Sequence, residues 1–240
     1  ERELLVLEDN PYGLLRYEGE PLPSLYALDG GEFVIYCGTF SKTLSPGVRL
    51  GWAAGPRPVI QKFNVGKQAS DLCSSSMTQL FVVEYLRSGR WPAYIDRQKE
   101  LYHHRRDVML EALAEYFPED ASWTKPTGGM FVWATLPDGI DTTDLLAKAL
   151  TRNVAFVPGR AAYLDGRGAT SMRLSFATVA DDELREGIRR IAEVADSQLD
   201  LLGSLTGKRR AAKPQPDAPA PENVVALPPR REDKRRTSSS

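Results

Sequence analysis

The sequence is poor in the residues that build metal and disulfide sites. Its 240 residues hold two cysteines, Cys37 and Cys73, and two histidines, His103 and His104. The cysteines form no C-x-x-C pair, which argues against a zinc cluster. Two isolated thiols in a chain of this size suit a reducing, cytoplasmic compartment. Long apolar runs are also missing. None reaches the roughly 18 residues needed to cross a bilayer, so no membrane partner is expected. Charge of one sign is not in excess. The formal net charge is −1, so the chain as a whole shows no bias towards nucleic acid. An initiator Met is absent too. Glu1-Arg2-Glu3 leads straight into Leu4-Leu5-Val6-Leu7, with no signal peptide. The expectation is that the beginning of the sequence is missing.

What is present is ordinary globular material: 42% apolar and 26% charged residues, enough for one large domain or two small ones. Leu4 to Leu7 is a short apolar run that ends in Asp9-Asn10-Pro11-Tyr12-Gly13, the pattern of a buried strand closed by a turn. Phe33 to Cys37 and Arg49 to Ala54 read as further strands. Such runs suggest an α/β sheet covered on both faces. Val59 to Arg87 is helical with a break near Cys73 to Ser76, and Ser88-Gly89 is a stop signal. Trp91 to Phe117 reads as one long helix. Then the period changes. Ser122 to Thr124, Gly129 to Leu136, Val154 to Val157 and Ser171 to Phe176 read as strands, with a helix over Thr143 to Arg152. Thr178 to Leu202 closes as a helix, with Thr178 and Asp181 spaced as a capping box. From Gly207 the composition shifts. That tail has six prolines and nine Lys or Arg against four Asp or Glu, so 9 − 4 = +5. It cannot bury enough apolar surface to order itself, and a solvated tail is expected.

The segment richest in chemistry is Gly38-Thr39-Phe40-Ser41-Lys42-Thr43-Leu44-Ser45-Pro46-Gly47-Val48-Arg49. A hydroxyl-rich loop follows a strand, with a lysine in its middle and an arginine seven residues later at the start of the next strand. Hydroxyls and a planar guanidinium can converge on a phosphate dianion. A lysine beside them could attack an aldehyde on the same phosphorylated ligand, provided its amine is free. Composition by itself also describes an ordinary exposed loop.

The segment resembles the cofactor-lysine region of the class I/II, fold-type I aminotransferases, which depend on pyridoxal 5'-phosphate (PLP). That resemblance makes Lys42 the Schiff-base lysine and proton shuttle. It makes Ser41 and Arg49 ligands of the cofactor phosphate, with Thr39 a weaker one. Asp9-Asn10-Pro11-Tyr12 is similar to the family's strand-end Asp-x-x-Tyr. The implied roles are Asp9 on the pyridinium nitrogen and Tyr12 on the ring hydroxyl. Pro126 to Trp133 resembles the strand bordering the substrate. Met172-Arg173-Leu174-Ser175-Phe176 resembles the strand whose arginine, here Arg173, clamps the substrate carboxylate. Val154 to Gly159 is similar to the 2-aminoadipate and aromatic aminotransferase branch.

The resemblance spans about residues 1 to 202. It implies the PLP-transferase fold of type I, in the α/β class, with a partial large domain of mixed sheet and a small C-terminal α+β domain. Residues 1–91 are the C-terminal half of the large PLP-binding domain and 92–117 a long connecting helix. Residues 118–204 form the small domain and 205–240 a disordered tail. The implied partners are an amino acid, a 2-oxo acid and a second copy in a homodimer. The family's long segment ahead of the Asp-x-x-Tyr strand has no counterpart here, so the sheet is expected to show exposed edges and the chain alone to bind PLP poorly. A PLP-sensing domain of a transcriptional regulator, another fold-type I PLP enzyme and a degenerate relic are the alternatives. His103 and His104 read as solvated helix residues, and Trp52, Trp91 and Trp123 as packing residues.

Overall fold

The computed structural model describes residues 4–206. The basic, proline-rich tail from Gly207 lies outside the described residues, whereas Leu205 and Thr206, expected in the disordered tail, belong to the closing helix that runs to Thr206. Among the described residues, no helix is long and apolar enough to cross a membrane.

Two sheets organise the chain. The first has three strands in the order β1-β2-β3: β1 (Val6–Asp9), β2 (Val34–Thr39) and β3 (Gly51–Ala54). β1 runs parallel to β2, with Asp9 opposite Cys37, and β3 returns antiparallel, with Gly51 opposite Thr39. A short helix α1 (Leu25–Asp29), not anticipated from sequence, joins the parallel pair. Ser24 caps it by accepting the Ala27 N–H. Only β2, the central strand, buries its apolar side chains, Val34 and Ile35.

The expectation of strands covered on both faces therefore fails for β1, where Leu7 is 60% exposed, and for β3, where Trp52 is 50% exposed. The described chain lays no second layer on that face of β1. That strand also starts later than its apolar run. Pairing with Val34 to Cys37 sets its limits, and Leu4 and Leu5 stay outside.

Helices α2 (Arg57–Ser70) and α3 (Ser76–Arg87) follow. Ser75 accepts the Thr78 N–H and starts α3. Gly89, at φ 70°, ends it, as a left-handed glycine after a helix commonly does. Then comes α4 (Trp91–Tyr116) with Pro92 in its first turn.

The second sheet has four strands in the order β4-β5-β7-β6: β4 (Ser122–Trp123), β5 (Phe131–Thr135), β6 (Val157–Pro158) and β7 (Ser171–Ser175). Period-two alternation sorts its residues. Val132, Ala134, Met172 and Leu174 point inward and are buried. They meet Met109, Leu113 and Phe117 of α4 and its end, Leu145 of α5 (Thr142–Leu150), and Ile188 and Ile191 of α6 (Asp181–Thr206).

β6 begins later than the apolar run Val154 to Val157, because only Val157 and Pro158 pair with β7. The capping box also shifts. Helix α6 begins at Asp181, and the Ala180 N–H donates to Glu183 Oε2 at 3.2 Å; Thr178 is not the cap. Leu15, far away in sequence, is fully buried in this same core. The Arg16–Gly128 bridge and the Gly129 N–H donated to Leu15 O at 3.0 Å hold it there.

Candidate functional site

Asp9 and Thr39 end the parallel strands β1 and β2. In open α/β sheets ligands gather outside such carboxyl ends. Beyond Thr39 the chain makes a turn over residues 41–44, with Lys42 exposed on it and Thr43 buried beneath. Thr39 Oγ1 lies 3.0 Å from Ser41 Oγ and accepts the Ser41 N–H at 3.1 Å. Arg49 Nη1 donates to Ser41 Oγ at 3.3 Å and to Pro46 O at 3.2 Å. Two hydroxyls and a guanidinium thus converge beside Lys42. That donor set suits the cofactor phosphate implied by the resemblance.

Arg49 does not open the next strand, as the sequence suggested. It follows a 3-10 turn at Pro46–Val48 and holds φ 47°, ψ 41°. A non-glycine residue in the left-handed region costs about 1–3 kcal/mol and persists only where its surroundings enforce it. Here the backbone turns back so that the guanidinium meets Ser41.

Two residues at the start of α4 fix the lysine turn from outside. The Trp91 indole N–H donates to Thr43 O at 3.0 Å and the Tyr94 hydroxyl to Leu44 O at 3.0 Å. Sequence reasoning gave Trp91 only packing and Tyr94 only helical spacing. The available signal was a pair of aromatics with polar handles, one helical turn apart.

A second cluster forms around Phe131. The Tyr12 ring meets the Phe131 ring edge-on at 5.8 Å, and the Arg173 guanidinium sits 4.4 Å from the same ring's centroid. Arg173 projects from the exposed face of β7, opposite Trp133 and Val157. The Tyr12 phenol is held above its ordinary pKa, chiefly by burial; Arg173 opposes the shift and Asp9 reinforces it. Asp9 and Arg173 both lie close enough to Tyr12 for their charges to act on its phenol. The predicted residues fall into two groups, Thr39–Ser41–Lys42–Arg49 and Asp9–Tyr12–Arg173, joined by the β1–β2 pairing.

Trp123 packs as expected, against the Phe117 ring at 6.4 Å, while the histidines differ from their simplest reading. Trp52 is half exposed and stacks on Tyr36 at 5.1 Å. His103 Nε2 lies 3.0 Å from Glu18 Oε1, and His104 Nε2 lies 2.6 Å from Asp181 Oδ2. Both histidines are thus partnered rather than simply solvated. An open groove of about 1020 Å³, lined by Tyr26, Ala54, Ile60 and Phe63 among others, holds none of the predicted site residues.

Comparison with known proteins gives the chain its relatives. The aromatic-amino-acid aminotransferase 1 of Thermococcus litoralis is 46% identical over 197 residues, covering 82% of this chain and 47% of the relative. The crystal structure of an α-aminoadipate aminotransferase from Thermus thermophilus, complexed with N-(5'-phosphopyridoxyl)-L-leucine, is 38% identical. It aligns with a TM-score of 0.79 over 83% of this chain and 52% of that one. The HTH-type transcriptional regulator YisV of Bacillus subtilis is 34% identical over 194 residues, covering 80% of this chain and 40% of the regulator. The chain thus spans about half the length of the curated relatives it matches. The family described as aminotransferase class I and II matches residues 1–191, and this chain belongs to it.

Proposed function

We propose that the protein transfers an amino group between an amino acid and a 2-oxo acid with PLP as its cofactor. The observation that carries this reading is the convergence of Thr39, Ser41 and Arg49 beside Lys42 at the strand ends. When bound, PLP supplies an aldehyde that takes up the amino group and a protonated ring that draws electrons from the bond being broken.

The chain's own residues do the rest. Ser41 and Arg49 hold the phosphate, aided by Thr39. Asp9 keeps the proton on the ring nitrogen. Tyr12, with its phenol held protonated by burial, donates to the ring hydroxyl. Arg173 grips the substrate α-carboxylate through two parallel N–H donors. Lys42 would hold the cofactor through Nζ, and its amine, when free, would take the α-proton and give it up again as general base and then acid. Two successive half-reactions give ping-pong kinetics. Exposed apolar side chains on α2 and α3, among them Phe63, Met77 and Leu80, support a homodimer as the working form.

The test uses the protein carrying this sequence at its full natural length. It is mixed with PLP, reduced with borohydride and digested for peptide mapping. A visible absorption band with the label on Lys42 is expected. No band, or label scattered over surface lysines, overturns the reading. The similarity to a transcriptional regulator favours a second reading, a PLP-binding sensor domain. Labelled Lys42 without turnover of aromatic amino acids or 2-aminoadipate would favour that one.

A further inference from the structure

The functional reading leaves one charged network unused. It lies where α4 crosses the segment that follows β1. The Arg106 side chain is only 7% exposed, yet each of its three guanidinium nitrogens donates a hydrogen bond. Nη2 donates to Glu18 Oε1 at 2.5 Å and to Asp107 Oδ1 at 2.6 Å; Nε donates to Asp107 Oδ1 at 2.9 Å; Nη1 donates to Pro126 O at 2.9 Å. The same guanidinium lies 5.2 Å from the centroid of the Tyr17 ring. His103 stacks on that ring at 5.3 Å and approaches the same Glu18 oxygen at 3.0 Å. The Tyr17 hydroxyl donates to Pro126 O at 3.4 Å.

Arg106 thus grips two segments at once. The backbone seals them together: the Tyr17 and Glu18 N–H groups both donate to Thr127 O, at 3.0 and 3.1 Å. One segment carries Tyr12 a few residues upstream, and the other carries Phe131 just downstream. Those two rings meet in the site, with Arg173 over the second.

We propose that Arg106 is a positioning residue: by holding Glu18 and Pro126 together it fixes Tyr12 against Phe131 and Arg173. It thereby sets the spacing between the cofactor ring and the carboxylate clamp. The identities of those two ligands rest on the proposed function; the grip itself does not. Stability alone is a poor reason for such a network, because a well-packed apolar pair of the same size often does as well as a buried ion pair. A planar fork adds something else. Several fixed donors set one register between two segments, which a lysine, with a single point charge, does not reproduce.

The test compares Arg106→Lys, Glu18→Gln and a control, Ile188→Val, in the protein at its full natural length. Ile188 sits in the core on α6, and its apolar side chain makes none of the network's hydrogen bonds. Glu18→Gln keeps the shape and is the variant to use if Arg106→Lys fails to fold. Amide exchange at Tyr17, Glu18 and Gly129 is read first, without cofactor. Either network variant is expected to speed exchange there about tenfold, while the control does not, as local opening without global unfolding requires.

With PLP bound, kcat/KM is expected to fall about tenfold or more, mainly through KM for the amino acid, the result of a misplaced reacting pair. The proposal is overturned if the network variants match the control at equal loss of melting temperature in both readouts. A wild-type protein without the PLP band would instead overturn the functional reading, and the grip would stand or fall on amide exchange.

Discussion

The two sheets solve the same problem differently. The four-stranded sheet closes a core with α4, α5, α6 and the inserted Leu15, and residues such as Leu113, Val132 and Phe176 reach almost no solvent. The three-stranded sheet buries Val34 and Ile35 but leaves Leu4, Leu7 and Trp52 half exposed or more. Yet the three-stranded sheet and its loops carry Asp9, Tyr12, Thr39, Ser41, Lys42 and Arg49. The four-stranded unit contributes Arg173. Chemistry and stability are thus separated along the chain. Mutations in the first region should change function without stability, and mutations in the second the reverse.

The largest expected effect is at Lys42. Lys42→Ala should lower amino transfer by about 10⁴-fold, the upper range for a group that moves the proton. It should leave the denaturation midpoint within about 0.5 kcal/mol, since the side chain is exposed and such substitutions are usually near neutral. A large loss of stability would break the separation. Next comes the reverse case. Leu113→Ala empties a fully buried site on α4 and should cost about 2–5 kcal/mol in urea unfolding. Leu7→Ala, at an exposed position of β1, should cost less than about 0.5 kcal/mol in this chain. Equal costs would show that the first sheet is as well supported as the second.

Arg173→Gln tests the one site residue that the stable unit supplies. Removing a bidentate charged contact should raise KM for the amino acid by about 100-fold, at roughly 1.4 kcal/mol per tenfold step. Stability should fall by about 0.5–1 kcal/mol, the contribution of a guanidinium over the Phe131 ring.

The smallest effect is electrostatic. Hydrogen bonds from Arg189 and then Arg190 hold the Glu186 carboxyl down to about 2. The Thr143 backbone N–H, and then Arg160, hold Asp141 below the usual carboxylate range. Folding lowers both pKa values, so their stabilisation is present above the ordinary carboxylate pKa, about 4. It is lost as pH falls from there towards about 2. Thermal melts from pH 5 to pH 2 should show a small loss of Tm, and Glu186→Gln should shrink it.

The proposed site was read through a family resemblance, because composition alone describes the Lys42 loop as an ordinary exposed loop. What the structure adds is the convergence of Thr39, Ser41 and Arg49 beside Lys42. Helices α3 and α4 were legible through period and stop signals, with Gly89 between them. What escaped depends on contacts distant in sequence. The limits of β1 and β6 come from their partners, β2 and β7, rather than from apolar content. The left-handed backbone of Arg49 comes from a turn that no local rule requires. Trp91 and Tyr94 support the lysine turn across about 50 residues of chain, a distance that local patterning does not span.

Leu15 gives the chain a practical seam. It is fully buried in the core of the second unit, although it precedes β2 in sequence. A polypeptide begun at Trp91 would keep every strand of the four-stranded sheet but lose the plug that fills its core. A synthetic peptide spanning residues 11–19 then becomes a ligand for the empty socket, and its affinity would measure in trans how firmly the cofactor side is riveted to the substrate side.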